Sequence, residues 1–95
     1  GATRDWRGDV VAVAKRNLAA GETLDGEGGY TVYGKLIPAA RSVREAALPI
    51  GLAHGVSLAR AIQAGEIVRR TDVSLDENAL AVRVRRDMEA EAGAG

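Results

Sequence analysis

Ala14–Asp25 reads AKRNLAAGETLD, and Leu58–Arg69 reads LARAIQAGEIVR, so a chain of 95 residues spells nearly the same stretch twice. Both copies run from an apolar residue through a small residue, a glycine and a glutamate to a second apolar residue. The shared positions are Arg16, Leu18, Ala20, Gly21, Glu22 and Leu24 in the first copy, and Arg60, Ile62, Ala64, Gly65, Glu66 and Val68 in the second.

This pattern predicts one strand–turn–strand unit used twice. Gly21 and Gly65 supply the positive φ that a type II-like turn requires and that a branched residue adopts only with strain. Neither unit can bury its apolar side alone. We therefore expect the two to pack about a pseudo-two-fold axis into one mostly β domain.

The remaining elements are short. The branched run Val10–Ala14 predicts a buried strand, and Tyr30–Tyr33 predicts another. Ser42–Glu45 has the S-x-x-E pattern of a helix start, and Pro49 limits that helix to one or two turns. His54–Gly55 lies between two apolar runs and predicts a hairpin turn.

The C-terminal segment has a different pattern. Leu80, Val84 and Met88 recur every fourth residue, which predicts a helix from about 77 to 92. Its apolar stripe would cover either the β core or a partner subunit. The predicted organisation is a β domain over residues 1–75, a helix over 76–92 and a frayed end at 93–95.

Composition excludes several classes of protein. Thirteen basic and 13 acidic residues give a formal net charge of zero, which argues against general nucleic-acid binding. The absence of cysteine removes disulfide and thiolate chemistry. No apolar run has the length of a membrane span, and no signal-peptide pattern is present, so we expect a cytoplasmic protein. The first residue is glycine, and we expect a piece of a longer protein.

The charged residues of the repeat are the first candidate site. Glu22 and Glu66 occupy matching turn positions, where paired carboxylates can perform acid–base chemistry or can cap backbone N–H groups of their own turns. The second interpretation is the favoured one. Arg16 and Arg60 also match; strand-edge arginines usually cover apolar surface, and otherwise bind a carboxylate or phosphate with two prongs.

The second candidate site is the stretch around Tyr30. Residues 26–29 are glycine-rich but lack the pattern of a phosphate-binding loop. In a strand, Tyr30 and Tyr33 would face opposite ways, one in the core and one exposed beside Lys35. An exposed tyrosine there could contact a sugar or a neighbouring domain. His54 is the only histidine, so it cannot join a Cys/His metal cluster, and it is expected to be a turn residue rather than a ligand contact. No catalytic, cofactor-binding or metal-ligating residue is assigned.

The turns LAAGETL and IQAGEIVRRTDV resemble those of the SAF superfamily, which has the β-clip fold. This superfamily includes type III antifreeze proteins, a domain of sialic acid synthases, and pilus and flagellar assembly factors. Its pattern is D-I-x-x-G-E and a hydrophobe, followed by T-x-x-D-V or S-x-x-D-V. Here Ala61 replaces the aspartate, and Thr71 directly precedes Asp72.

A narrower resemblance concerns GEGGYTVYGKLIPA, LPIGLAHGVSLAR and VSLDENALAVRVRRDMEA. These stretches are similar to the C-terminal SAF module of homoserine-dehydrogenase-like NAD(P)-dependent oxidoreductases, including those like 1-deoxy-xylulose-5-phosphate reductoisomerase. The resemblance implies no turnover by this piece alone. It implies an NAD(P) site on a Rossmann domain elsewhere in the parent chain, and no cofactor in the piece itself. It also implies that the module completes the cleft for a small polar or carbohydrate-like substrate, or holds a homo-oligomer together. The alternative is a free-standing SAF module of the pilus or flagellar type that binds a glycan or a protein.

Overall fold

The structure is a computed structural model, and it describes residues 7–74. Four strands are present over this range: β1 (Gly8–Ala14), β2 (Thr23–Asp25), β3 (Val32–Pro38) and β4 (His54–Ser57). One α-helix, α1 (Ala39–Glu45), and one 3₁₀ helix (Ile50–Leu52) lie between β3 and β4, and a second 3₁₀ helix (Arg70–Asp72) follows β4. Within these residues no helix has both the length and the apolar character to cross a membrane.

The strands form two small antiparallel sheets. β1 pairs with β3 along its whole length, from Gly8 opposite Pro38 to Ala14 opposite Val32. β2 pairs with β4, with an irregularity between Thr23 and Asp25. The predicted strand at Val10–Ala14 is thus confirmed within β1, and the mostly β architecture is confirmed as well.

The core is aliphatic, as a chain without phenylalanine requires. Side chains alternate across β1, so that Ala12 and Ala14 enter the main cluster while Val11 enters a smaller one with Ile37 and Ala47. Burial on both faces explains why β1 reads as a continuous apolar run. The main cluster consists of Ala12, Ala14, Leu18, Leu24, Val32, Leu48, Ala53, Leu58, Ile62, Val68 and Val73.

The two copies of the repeat meet at Leu18 and Ile62. The N–H of each donates to the C=O of the other, with N···O distances of 2.8 and 2.9 Å. Both side chains are at most 2% exposed. Because these residues occupy the same position in their copies, this pair lies on the pseudo-two-fold axis that the sequence predicts.

The backbone N–H groups of the two turn glycines also form hydrogen bonds from one copy to the other. Gly21 has φ +91° and donates to Leu58 O at 2.7 Å. Gly65 has φ +85° and donates to Ala14 O at 2.9 Å. Leu58 is the repeat equivalent of Ala14, so each bond is the image of the other. Each copy therefore closes its turn on the strand of its partner, and neither turn is complete alone.

Three local predictions are wrong. The first is the start of the strand at Tyr30–Tyr33, because Val32 and Tyr33 lie in β3 but Tyr30 and Thr31 precede it. The N–H groups of Tyr30 and Thr31 bind the Asp25 carboxylate instead of continuing the strand. Thr31 and Val32 are buried, whereas Tyr30 and Tyr33 are both exposed, so neither ring lies in the core.

The second concerns α1, which has seven residues, as the limit of two turns predicts, but starts at Ala39. Ser42 lies inside the helix, fully buried, and caps nothing. Pro38 takes the N-cap position because its extended φ and ψ lead directly from β3 into the helix. The helix ends at Glu45, and its C-cap residue Ala46 adopts the left-handed conformation with φ 53°.

The third is the hairpin at His54–Gly55. Ile50–Leu52 is a 3₁₀ helix after Pro49, so it offers no strand for a hairpin. His54 begins β4, which pairs with β2 instead. The predicted helix over 76–92, the end at 93–95 and the N-terminal six residues lie outside the described residues.

Candidate functional site

The first charged cluster lies in the turn of the first copy. Arg16 donates from Nη2 to Glu22 Oε1 at 2.8 Å and from Nη1 to Oε2 at 3.3 Å. Glu22 Oε2 also accepts the backbone N–H of Ala19 at 2.7 Å. The hydrogen bonds from Arg16 and Ala19 lower the pKa of Glu22. This carboxylate is therefore ionised at neutral pH and ties the turn together.

The second copy repeats the arrangement. Arg60 Nη2 lies 3.2 Å from Glu66 Oε2, and Glu66 Oε1 accepts the N–H of Gln63 at 2.9 Å. The Gln63 N–H, followed by Arg60, lowers the pKa of Glu66. Each of the two carboxylates accepts a backbone N–H of its own turn and is held by its own arginine. Glu22 and Glu66 therefore both stabilise the turns in which they lie.

Sequence reasoning missed these ion pairs. In both copies an arginine precedes a glutamate by six positions. That doubled spacing is the signal that could have found them, because the turn between the two residues brings their side chains together.

The two copies differ at Arg60. Arg60 Nε donates to Asp72 Oδ1 at 2.6 Å, and Nη2 lies 3.3 Å from Oδ2. Asp72 is 3% exposed and also accepts the N–H of Arg69 at 2.8 Å. Arg60 therefore holds two carboxylates, those of Glu66 and Asp72.

Thr31 takes the place of Asp72 in the first copy. Lys15 N–H donates to Thr31 O, as Ala59 N–H donates to Asp72 O. Thr31 Oγ1 accepts the N–H of Asp25 at 3.0 Å, as the Asp72 carboxylate accepts that of Arg69. Six positions separate Asp25 from Thr31, but only three separate Arg69 from Asp72. The first copy thus contains an insertion of three residues at this connection.

The insertion forms a pinned loop over residues 26–30, which we call the Tyr30 loop. The Asp25 carboxylate accepts the N–H of Tyr30 at 2.7 Å, the N–H of Thr31 at 3.0 Å and the hydroxyl of Thr31. These bonds, led by the Thr31 hydroxyl, lower the pKa of Asp25 to about 2. Lys15 Nζ holds Gly29 O at 2.7 Å, and a Cβ on Gly29 would overlap the Asp25 carboxylate. The loop is fixed at its base, yet Tyr30 itself is 84% exposed.

The other candidates are spread over neighbouring positions. His54 is exposed and packs its ring against Gly26, where an added Cβ would lie 3.1 Å from Cδ2. His54 therefore lies at the base of the Tyr30 loop. Tyr33 and Lys35 lie on one face of β3, where they pair with Val13 and Val11 of β1. Across residues 7–74 no group of three His, Cys, Asp or Glu side chains is placed to hold a metal ion.

Comparison with known proteins agrees with the architecture. A search of curated proteins gives no significant match. The family model described as SAF domain matches residues 9–74, a range that includes both copies of the repeat and the Tyr30 loop. The chain therefore belongs to the SAF domain family.

Proposed function

We propose that this SAF domain is a non-catalytic recognition module, and that the Tyr30 loop is its contact surface. In this proposal its parent is an NAD(P)-dependent oxidoreductase of the homoserine-dehydrogenase-like kind. There the module completes the substrate cleft or the oligomer interface next to the Rossmann and catalytic domains. The substrate is small and polar or carbohydrate-like, and NAD(P) binds to the Rossmann domain.

The observation that carries the proposal is the asymmetry between the two copies. The second copy closes the connection from Arg69 to Asp72 with three residues fewer, so the fold does not need the insertion. The insertion instead places a large aromatic side chain in solvent, where it adds nothing to the core. Tyrosine is enriched at binding hot spots, because its ring offers contact area with little loss of side-chain entropy.

The pinning of the loop favours recognition over flexibility. Hydrogen bonds to Asp25 and the bond from Lys15 order the loop before any partner arrives. Ordering a loop on binding opposes affinity, and a loop that is already ordered avoids this loss. The Tyr30 loop also lies inside GEGGYTVYGKLIPA, the stretch that carries the resemblance to the oxidoreductase module.

A loop exchange tests this proposal. Residues 26–30 are replaced by the two-residue link of the second copy, Arg70–Thr71, with Val43→Ala on α1 as a control at another exposed apolar residue. The shortened chain should still unfold cooperatively. In the parent enzyme it should lower kcat/KM or weaken the oligomer by about 30-fold, the effect of losing one hot spot of about 2 kcal/mol. Unchanged activity and assembly in a folded loop-exchange protein would reject the Tyr30 loop as a contact surface.

A separate experiment tests whether NAD(P) binds outside this chain, as the proposal requires. Titration of the 95-residue chain with NADPH in a calorimeter should give no heat above dilution. The gene should encode a strand, a G-x-G-x-x-G turn and a helix upstream of this domain. Binding of NADPH to the isolated chain would overturn this part of the proposal. An upstream export signal without a Rossmann unit would favour the free-standing module instead.

A further inference from the structure

Arg16 and Arg60 occupy the same position in the two copies of the repeat, so their hydrogen-bond partners can be compared directly. Arg60 uses Nη2 for Glu66 and uses Nε together with Nη2 for Asp72. Arg16 uses Nη1 and Nη2 for Glu22, and Nη1 also reaches Asn17 O. Within the described residues Arg16 Nε has no acceptor. The side edge of the guanidinium that carries a carboxylate in the second copy is thus open in the first.

The two arginines differ in their partners because the second copy has Asp72 where the first copy has Thr31. Asp72 extends a carboxylate to Arg60, whereas Thr31 in the matching place has only a hydroxyl, which is bonded to Asp25. The hydrogen bond to Glu22 raises the pKa of Arg16, and the nearby Asp25 carboxylate adds a smaller contribution, but the Asp25 oxygens accept hydrogen bonds from Tyr30 and Thr31. No side chain of residues 7–74 accepts a hydrogen bond from Arg16 Nε, as Asp72 does from Arg60 Nε.

A carboxylate fits the open edge. Arg60 shows that one guanidinium in this turn holds two carboxylates at once, with Nη2 shared between them. The side chain of Arg16 is 51% exposed, so a group from outside can reach it, and Glu22 holds the guanidinium in a fixed orientation. Charge-assisted bonds to a preoriented guanidinium are stronger than those between neutral groups.

We infer that Arg16 is the anchor of a carboxylate-binding site, in which Nε and Nη2 take an incoming carboxylate as Asp72 is taken in the second copy. The carboxylate belongs either to a small carboxylic acid or to an acidic side chain of a partner protein. The inference rests on the comparison of the two copies, and it stands whether or not the parent is an oxidoreductase.

The test follows the side-chain Nε–Hε resonances of both arginines by ¹H–¹⁵N NMR during titration of the 95-residue chain with sodium acetate. Sodium chloride at equal ionic strength is the control. The Arg16 resonance should shift saturably with acetate, while that of Arg60 should stay in place, because Asp72 already occupies its Nε. Equal shifts at both arginines, or the same shift with chloride, would show a general ionic effect and overturn the site.

Two variants sharpen the result. Thr31→Asp provides an internal carboxylate and should abolish the response to acetate in a chain that stays folded. Arg16→Lys replaces the planar guanidinium by an ammonium group of the same charge and should also abolish the response to acetate. A persistent effect of acetate on the neighbouring amide resonances in this variant would contradict the proposal. A second titration with a glutamate-containing peptide distinguishes the sources: tighter binding than acetate indicates a protein partner, and equal binding indicates a small acid.

Discussion

The turn glycine Gly65 gives the sharpest stability prediction. At this position the cost of the backbone conformation can be measured without a steric clash of the added side chain. An added Cβ would meet nothing within 4 Å at Gly65, and the same holds at Gly51. The two positions differ in φ, which is +85° at Gly65 and outside the left-handed region at Gly51. Gly65→Ala therefore measures the conformational penalty, and Gly51→Ala is its matched control.

The left-handed conformation costs an L-residue about 1–2 kcal/mol. Loss of the freedom of glycine in the unfolded chain offsets this by about 0.4–1 kcal/mol, and that gain applies to both variants. The free energies of unfolding of the two variants should thus differ by about 1–2 kcal/mol. Each kcal/mol corresponds to roughly 4–8 °C in Tm for a domain of this size.

Circular dichroism melts and urea titrations of both variants give this difference directly. Gly21→Ala should behave like Gly65→Ala, because its φ is +91° and its surroundings are equally open. Valine at either glycine should cost more than 1 kcal/mol, since a branched residue tolerates this region even less well. If Gly65→Ala is as stable as Gly51→Ala, the assignment of the turns is wrong.

Three further changes probe other parts of the structure. Ser42→Ala removes a buried hydroxyl that has no hydrogen-bond partner in the structure. The free energy of unfolding should therefore stay constant or rise by at most about 1–2 kcal/mol. A clear loss of stability in urea titrations would show that the hydroxyl is bonded. Asp25 has its pKa lowered from 3.8 to about 2, so its contribution to stability is present above pH 3.8 and is lost as the pH falls through about 2. The Tm difference between wild type and Asp25→Asn should therefore shrink over that range, and a constant difference would contradict the bonds to Tyr30 and Thr31. Gly29→Ala should loosen the Tyr30 loop by displacing the Asp25 carboxylate, seen as faster amide exchange at Tyr30, and should have little further effect in an Asp25→Ala background.

The repeat was the part of the fold that sequence reasoning predicted well. Glycine adopts a positive φ without steric cost, so the same pattern around Gly21 and Gly65 predicts the same turn. The burial of Leu18 and Ile62 follows from that pattern alone. The sequence also predicted the length of α1, because Pro49 limits it to two turns.

The failures share a physical cause, which is competition from distant partners. Tyr30 and Thr31 have strand propensity, but the Asp25 carboxylate takes their N–H groups. Ser42 fits a capping pattern, but the extended backbone at Pro38 starts the helix earlier. The sequence does not reveal the insertion at the Tyr30 loop, because the similarity between the two copies ends at Asp25 and Arg69, just before the insertion. Only the paired hydrogen bonds of Thr31 and Asp72 show that these residues are equivalent.

The interlocked repeat itself is tested most directly by through-hydrogen-bond NMR couplings between ¹⁵N and ¹³C′ nuclei. We expect measurable couplings for both bonds between Leu18 and Ile62, for Gly21 N to Leu58 C′ and for Gly65 N to Ala14 C′, whose N···O distances are 2.7–2.9 Å. Couplings in one copy without their images in the other would contradict the pseudo-two-fold arrangement, and with it the comparison of Arg16 with Arg60.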